Sequence, residues 1–256
     1  MQYPNFNEEK KLWRRGYKFV AGLDEAGRGC LAGPVVAAVV IIKIFNFQFS
    51  IFNFKKLKSV KDSKKLTAKK REEFYKILTN CPDIKWGIGR VSEKIIDKIN
   101  ILEATKLAMK KAIKNLEEKI NKKPAVQKSR DREISAQLSS AGFLVLDGNF
   151  TINLPLPQKS IIKADEKVFS CAVASILAKV TRDRIMLKYD KKYPQYGFKK
   201  HKGYPTKLHL VKLKKYGVCE IHRKSFAPII KILNQSTKHR STQLFEYSVL
   251  RCSAEH

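Results

Sequence analysis

The sequence predicts a layered α/β fold. Short runs rich in Val, Ile and Leu predict strands early in the chain, and helical patterns then alternate with further strands. At 256 residues, 43% of them hydrophobic, the chain can bury a substantial core in one large domain, with or without appendages. The sequence shows no internal repeat. These observations favour a folded domain of sheet and helices over a disordered chain.

Runs of β-branched and aliphatic residues predict the strands. Gly33 to Ile42 is rich in Val and Ile and apolar on both faces, which is typical of a strand in the centre of a sheet. We predict four further strands, at Tyr17 to Leu23, Trp86 to Val91, Phe143 to Leu146 and Ser160 to Ala164. The Phe-rich stretch from Ile44 to Lys58 has no clean pattern and predicts an extended hairpin or an insertion.

Capping residues and apolar residues at turn spacing predict the helices. Thr67 is a suitable N-cap for a helix ending near Thr79, and Gly217 is a suitable end for a helix over Thr206 to Tyr216. Apolar stripes predict two longer helices, at Ile101 to Ile120 and at Val168 to Lys192. Outside these elements we predict a loop or insertion at Asn121 to Ala141, a loop at Tyr193 to Tyr204, and a tail from Gln235.

The charge balance indicates the class of partner. Lysine and arginine outnumber the acidic residues 53 to 23, which gives a formal net charge of +30. Such an excess points to a polyanionic partner, above all a nucleic acid. A Lys-rich proteome with solvated basic surfaces would give the same count, so charge alone leaves that alternative open.

Cysteine usage and hydropathy indicate the compartment. The five cysteines are scattered and contain no C-x-x-C pair, which argues against a disulfide framework or a structural zinc site. Residues Met1 to Gly16 contain no apolar segment typical of a secretory signal. The longest apolar run, Val35 to Ile42, is too short to span a bilayer. We therefore expect a cytoplasmic protein with no membrane association.

Carboxylates follow three of the predicted strands. Asp24 and Glu25 come directly after Leu23, Asp147 follows Leu146, and Asp165 follows Ala164. Functional groups gather outside strand ends in open α/β sheets, and acids brought together there repel each other unless a cation lies between them. Oxygen ligands without His or Cys suit Mg²⁺ or Mn²⁺. The alternative is that these acids are only turn or cap residues.

Asp24 and Glu25 are neighbours, and neighbouring residues on a regular strand point to opposite faces. Both can reach one site only if the strand breaks at this point. The following Ala26-Gly27-Arg28-Gly29 allows such a break, because glycine tolerates positive φ. We therefore predict a break in the first strand here.

Five strings in the chain resemble the signatures of the ribonuclease HII family and occur in the family's order. They are Gly22 to Val36, Asp62 to Leu66, Leu146 to Asn149, Lys163 to Asp165 with Ala174 to Asp183, and His201 to Thr206. The resemblance implies a ribonuclease H-like mixed sheet flanked by helices, with a small helical C-terminal part. It covers most of residues 17–228, which we expect to form the catalytic domain, followed by a tail at 229–256.

The resemblance also implies an activity: hydrolysis of RNA in RNA·DNA hybrids, including the 5′ side of single ribonucleotides embedded in duplex DNA. Two Mg²⁺ or Mn²⁺ ions would be held by Asp24, Glu25, Asp147 and Asp165, and the products would carry a 3′-hydroxyl and a 5′-phosphate. We expect a monomer. The competing hypotheses are a related nuclease acting on branched DNA, a basic nucleic-acid-binding protein, and an inactive nuclease relative.

Further residues are candidates for substrate contact. Gly27-Arg28-Gly29 would present N–H groups and a guanidinium to the nucleic-acid backbone and sense a 2′-hydroxyl, unless it is a simple tight turn. The resemblance favours Tyr204 as an aromatic that stacks on a sugar or base, rather than a core tyrosine. The remaining candidates, which contact phosphates unless they are merely solvated, are Lys64, Lys65, Lys179 and Arg182.

The chain departs from the family pattern in four places. The stretches Ile44 to Lys58 and Lys122 to Gly142 and the C-terminal tail look like insertions. In the fourth signature, Ala164 precedes Asp165, where the family usually has glycine.

Overall fold

The computed structural model describes residues 4–42, 66–121 and 142–235. The predictions for residues 44–58, 122–141 and 236–256, and those for Lys64 and Lys65, lie outside the described residues.

The described chain divides into two compact units. The first comprises the described residues within 1–28, 34–91 and 101–184 and contains a five-stranded sheet. Its strands are β1 (Phe19–Ala26), β2 (Val35–Ile42), β3 (Ile84–Val91), β4 (Gly142–Asp147) and β5 (Gln158–Ile161). They lie in the order β3-β2-β1-β4-β5. β1 pairs antiparallel with β2 and parallel with β4, β2 pairs antiparallel with β3, and β4 pairs parallel with β5. The sheet is therefore mixed, as predicted.

The apolar run on β2 lies in the interior of the sheet. Every residue from Val35 to Ile42 is buried, and β2 is hydrogen-bonded on both edges, to β1 and β3. A strand covered on both faces requires an unbroken apolar sequence, which the Val- and Ile-rich run supplies. The predicted central position is confirmed.

Helices flank the sheet. They are α1 (Asn7–Arg14), α2 (Ala68–Asn80), α3 (Glu93–Asn121) and α4 (Phe169–Lys192). The Thr67 hydroxyl accepts a hydrogen bond from the Lys70 N–H at 3.3 Å, which confirms the predicted cap of α2. Residues 93–121 comprise two helices that meet at Asn100, where φ is 65° and the backbone is not helical, so the second helix begins at Ile101, as predicted.

Two apolar clusters of described residues contribute to the core of the first unit. In one, Phe74 and Leu78 of α2 and the apolar side of α4 pack with residues of β1 and β2. In the other, Leu12 of α1 packs with Phe143 and Val145 of β4 and with the start of α4. Both clusters include α4, so the helix that carries the fourth signature is part of the core.

The second unit comprises the described residues within 29–33, 92–100 and 185–256 and is mainly helical. It contains α5 (Phe198–His201), α6 (Lys207–Tyr216) and a helical segment at 227–235. The prediction of a loop at 193–204 is wrong in part, because a 3₁₀ helix (Pro194–Tyr196) and α5 lie within it. α6 begins after Thr206 and ends before Gly217, as predicted. The unit's core contains Phe198, Leu213 and Ile229.

The fold class is thus a mixed sheet flanked by helices, followed by a helical C-terminal part. The domain boundary at residue 228 stays a prediction, and the helical segment continues through it to residue 235. None of the helices within 4–42, 66–121 and 142–235 combines the length and apolar character needed to cross a membrane.

Candidate active site

Three aspartates from distant parts of the chain meet at one edge of the sheet. Asp24 lies on β1, Asp147 ends β4, and Asp165 lies on a 3₁₀ helix (Ala164–Glu166) that follows β5. One carboxylate oxygen from each lies within 4.8 Å of the others. The sheet produces this arrangement, because β1 and β4 are parallel with Leu23 opposite Leu146, so the next residue of each strand reaches the same edge.

Asp165 reaches the group by a route that differs from the prediction. β5 ends at Ile161, so the predicted strand end at Asp165 is wrong. Lys163 turns the chain with a left-handed φ of 57°, and the Ala164 N–H then donates to Asp147 Oδ1 at 2.8 Å. Ala164 is fully buried and is not among the described residues with positive φ, so its conformation does not require glycine.

The three carboxylates repel one another when they are ionised. Burial raises the pKa of Asp24 well above its usual value, and the charges of Glu25 and Asp147 raise it further. A hydrogen bond with Ser175, on α4, acts in the opposite direction. A buried group of oxygen donors fits a hard divalent cation, whose charge would offset this repulsion. The residues present therefore could hold the metal ion that the resemblance implies.

Glu25 does not join this group. The predicted strand break is wrong: β1 continues through Ala26, with Glu25 opposite Ala37 and Ala26 opposite Val36. The Glu25 carboxylate accepts a hydrogen bond from Arg28 Nη1 at 3.3 Å. Its charge still acts on Asp24, as the raised pKa shows. Its role as a metal ligand stays a prediction.

Gly27 is explained by its contact with Arg182. At Gly27 φ is +98°, and a Cβ there would lie 2.0 Å from Arg182 Nε. The Arg182 side chain is fully buried, and its Nε donates to the Pro34 carbonyl at 2.9 Å. The structure thus gives Arg182 a packing role and offers no support for its predicted phosphate contact.

Arg28, in the first signature, lies close to Phe150, which directly follows the third signature. Its guanidinium is 5.5 Å from the centroid of the Phe150 ring, and its side chain is 39% exposed. Gly148 allows the Phe150 ring to approach, because a Cβ at residue 148 would lie 2.8 Å from it. Sequence reasoning missed both Phe150 and Ser175. Each lies in or beside a signature string, but the string does not show which other side chains Phe150 and Ser175 contact.

The other predicted contact residues have diverse surroundings. Lys179 forms an ion pair with Asp183 at 2.8 Å. A Cβ at Gly29 would meet nothing within 4 Å among the described residues. Tyr204, in the helical unit, is 39% exposed.

Comparisons with known proteins agree with this architecture. The family model described as ribonuclease HII matches residues 21–229. Ribonuclease HII of Acetivibrio thermocellus is 47% identical over 218 residues, which cover 85% of this chain and 73% of the relative. Ribonuclease HII of Chlamydia caviae is 45% identical over 230 residues, which cover 88% of this chain and 92% of the relative.

A solved structure shares the fold. The crystal structure of ribonuclease H2 from Pyrococcus horikoshii matches with a TM-score of 0.58 and 28% identity, covering 85% of this chain and 98% of that one. The sheet described above is therefore a ribonuclease H-like sheet. Since the family model spans most of the chain and the relatives match along most of their length, the chain belongs to the ribonuclease HII family of ribonuclease H hydrolases.

Proposed function

We propose that the protein is a divalent-metal-dependent endoribonuclease that cuts the RNA strand of RNA·DNA hybrids, including the 5′ side of a single ribonucleotide embedded in duplex DNA. The products would carry a 3′-hydroxyl and a 5′-phosphate. We further propose that it acts as a monomer in the cytoplasm.

One observation carries this proposal: the carboxylates of Asp24, Asp147 and Asp165 lie together within 4.8 Å. Two buried aspartates and a half-buried one this close are unfavourable in a purely structural role, because each raises the cost of ionising the next. They are favourable around a divalent cation. When bound, Mg²⁺ or Mn²⁺ supplies activation of water and stabilisation of negative charge on the departing oxygen.

The chain's own residues position these groups. The Ala164 N–H orients Asp147 through its bond to Oδ1, and the hydrogen bond with Ser175 orients Asp24. We propose that Glu25 joins the ligand set of a two-metal site. Its bond from Arg28 places that ligand next to a partly exposed guanidinium, which suits contact with a phosphate.

Discrimination of RNA from DNA requires contact with a 2′-hydroxyl. We propose that main-chain N–H groups of Gly27-Arg28-Gly29 make this contact, and that Lys64, Lys65 and Lys179 contact phosphates. We propose that Tyr204 stacks on the adjacent deoxyribose, where there is no 2′-oxygen. Its exposed ring is consistent with this role.

Cleavage assays on three duplexes test the proposal: a continuous RNA·DNA hybrid, DNA with one embedded ribonucleotide, and all-DNA of the same sequence. With Mg²⁺ or Mn²⁺, we expect cleavage of the first two, and at the 5′ side of the ribonucleotide in the second. With EDTA we expect no cleavage.

Each competing hypothesis gives a different result. Binding without cleavage in any metal would indicate a nucleic-acid-binding protein or an inactive relative. A branched DNA substrate is assayed alongside the three duplexes, and its cleavage without cleavage of hybrids would indicate the related DNA nuclease. Asp24→Asn is the matched control, because loss of cleavage in this variant excludes a contaminating nuclease.

A further inference from the structure

Three histidines in the helical unit are buried, and the proposed chemistry uses none of them. His201, His209 and His222 are 6%, 0% and 1% exposed. The rings of His201 and His209 stack with centroids 4.2 Å apart. Nε2 of His209 lies 3.1 Å from Nε2 of His222. Two imidazole nitrogens at this distance must share one proton, so the two rings cannot both donate.

The surrounding hydrogen bonds determine which ring donates. His209 Nδ1 lies 2.9 Å from the Tyr204 carbonyl oxygen, which can only accept, so Nδ1 carries the proton. Burial above all lowers the pKa of both His209 and His222 to about 4, so both rings are neutral at pH 7. His209 Nε2 is then an acceptor, and His222 donates to it from Nε2.

The far end of this chain is consistent with the same assignment. With its proton on Nε2, His222 Nδ1 must accept, and the Cys219 N–H donates to it at 2.9 Å. The Cys219 carbonyl is also near Nδ1, at 3.3 Å, but it would require a proton there. The bond from the Cys219 N–H is the shorter one, and its N–H points at the ring, so it favours the His222 tautomer with an unprotonated Nδ1.

His201 holds the residue before Tyr204. Its Nδ1 accepts from the Gly203 N–H at 3.1 Å, and its Nε2 donates to the Tyr196 carbonyl at 3.0 Å. The main chain is therefore bonded to a buried imidazole on each side of the exposed Tyr204 ring, at the Gly203 N–H and at the Tyr204 carbonyl.

We propose that His209 and His222 are positioning residues for Tyr204. The chain of bonds from the Cys219 N–H through His222 and His209 to the Tyr204 carbonyl holds the main chain from which the Tyr204 ring projects. The part of this inference that concerns cleavage rests on the proposed function, which gives Tyr204 its stacking role. The part that concerns the hydrogen bonds does not.

The tautomers provide the first test. Long-range ¹H–¹⁵N spectra of the full chain at pH 7 should show the His209 proton on Nδ1 and the His222 and His201 protons on Nε2. A His209 proton on Nε2 would overturn the proposal, because the bond to the Tyr204 carbonyl would not exist.

A matched pair of variants provides the second test. H209N keeps a donor at the position of Nδ1 but loses the contact with His222. H209Q keeps a polar atom near Nε2 but loses the donor to the Tyr204 carbonyl. The Thr206 N–H donates to the same carbonyl at 2.8 Å, so its amide hydrogen exchange reports on this turn. We expect exchange about fivefold to tenfold faster in H209Q than in H209N.

Cleavage gives the functional readout. H209Q should lower the ratio of embedded-ribonucleotide cleavage to continuous-hybrid cleavage, in the same direction as Tyr204→Ala. H209N should lower it less, because it keeps the donor to the Tyr204 carbonyl and loses only the support from His222. Equal ratios in H209Q and H209N would overturn the positioning role, since both would then be packing defects. If the wild-type protein cleaves neither substrate, the proposed function fails, and the tautomers and amide exchange alone decide the positioning of the main chain.

Discussion

Asp24 carries a charge that its surroundings disfavour. Because burial and the neighbouring acids raise its pKa, Asp24→Asn should stabilise the metal-free protein or leave its stability unchanged. The same change should lower cleavage by at least about 10²–10³-fold, since a ligand is lost where transition-state charge develops. Thermal unfolding with and without Mn²⁺ gives the first result, and single-turnover cleavage gives the second. Full activity in this variant would exclude Asp24 from the site.

A second prediction separates packing from substrate contact in the Gly27-Arg28-Gly29 loop. Gly27→Ala places a Cβ against Arg182 at positive φ, so it should lower the free energy of unfolding by about 1–3 kcal/mol. Gly29→Ala meets no described atom within 4 Å and should change stability by less than about 0.5 kcal/mol.

Urea unfolding measures both of these changes. If Gly29 also approaches the nucleic-acid backbone, Gly29→Ala should weaken hybrid binding without loss of stability. Equal destabilisation by the two substitutions would contradict the packing explanation of Gly27.

Individual site residues were predictable to different degrees. Asp24 and Asp147 directly follow apolar runs that pair as parallel strands, so their meeting could be expected from the sequence. The separation of Glu25 from the group follows from the regular alternation of β1, which the glycines after it do not interrupt. The burial of Arg182 could not be read from its charge, because it depends on the absence of a side chain at Gly27.

At the scale of elements, α1 holds the start of α4. The Glu9 carboxylate is 1% exposed and accepts from both the backbone N–H and the hydroxyl of Ser170, each at 2.9 Å. Glu9→Ala leaves these buried donors without their acceptor, so it should cost about 1–3 kcal/mol of unfolding free energy. Chemical denaturation of the full chain measures this loss.

The adjacent residue gives a matched control. Glu8 forms ion pairs with Lys11 and Lys159 at the surface, so Glu8→Ala should cost no more than about 1 kcal/mol. Similar losses for the two substitutions would show that α1 is held by its apolar contacts and not by Glu9.

Periodicity located most elements but not their local departures. The helix at Phe169–Lys192 and the strand at Val35–Ile42 were predicted nearly to the residue, because long apolar patterns admit one interpretation. The strand that was to carry Asp165 ends at Ile161 instead. The left-handed turn at Lys163 causes this difference, and lysine gives no local sign of such a turn.

Over the whole molecule, the buried histidines should make stability depend on pH. The pKa of His209 and that of His222 are about 4 in the folded protein, against about 6.5 when unfolded. Because the two pKa values are lower in the folded state, the unfolded state binds protons first as pH falls. The contribution of the two neutral rings to the free energy of unfolding is therefore complete above about pH 6.5 and is lost as pH falls toward 4. Between pH 7 and pH 5 the free energy of unfolding should fall by about 2–4 kcal/mol. His222→Asn should make this dependence shallower, and an unchanged dependence would contradict the neutral, buried state of His222.

The net charge of +30 should make binding to a hybrid duplex strongly dependent on salt. Each phosphate that a lysine or arginine neutralises releases condensed counterions, so six to ten contacts would weaken binding by about 10³–10⁵-fold between about 50 and 200 mM salt. Titration of the catalytically silent Asp24→Asn variant in Mg²⁺ measures this slope without cleavage.

Two exposed lysines allow two surfaces to be compared. Lys200 lies four positions before Tyr204, and Lys10 lies on α1. If the Tyr204 loop faces the nucleic acid, Lys200→Gln lowers the slope by about 0.9 and Lys10→Gln leaves it unchanged. The reverse result would place the docking surface on α1, and a flat wild-type dependence would mean that the basic residues are solvated and do not contact phosphates.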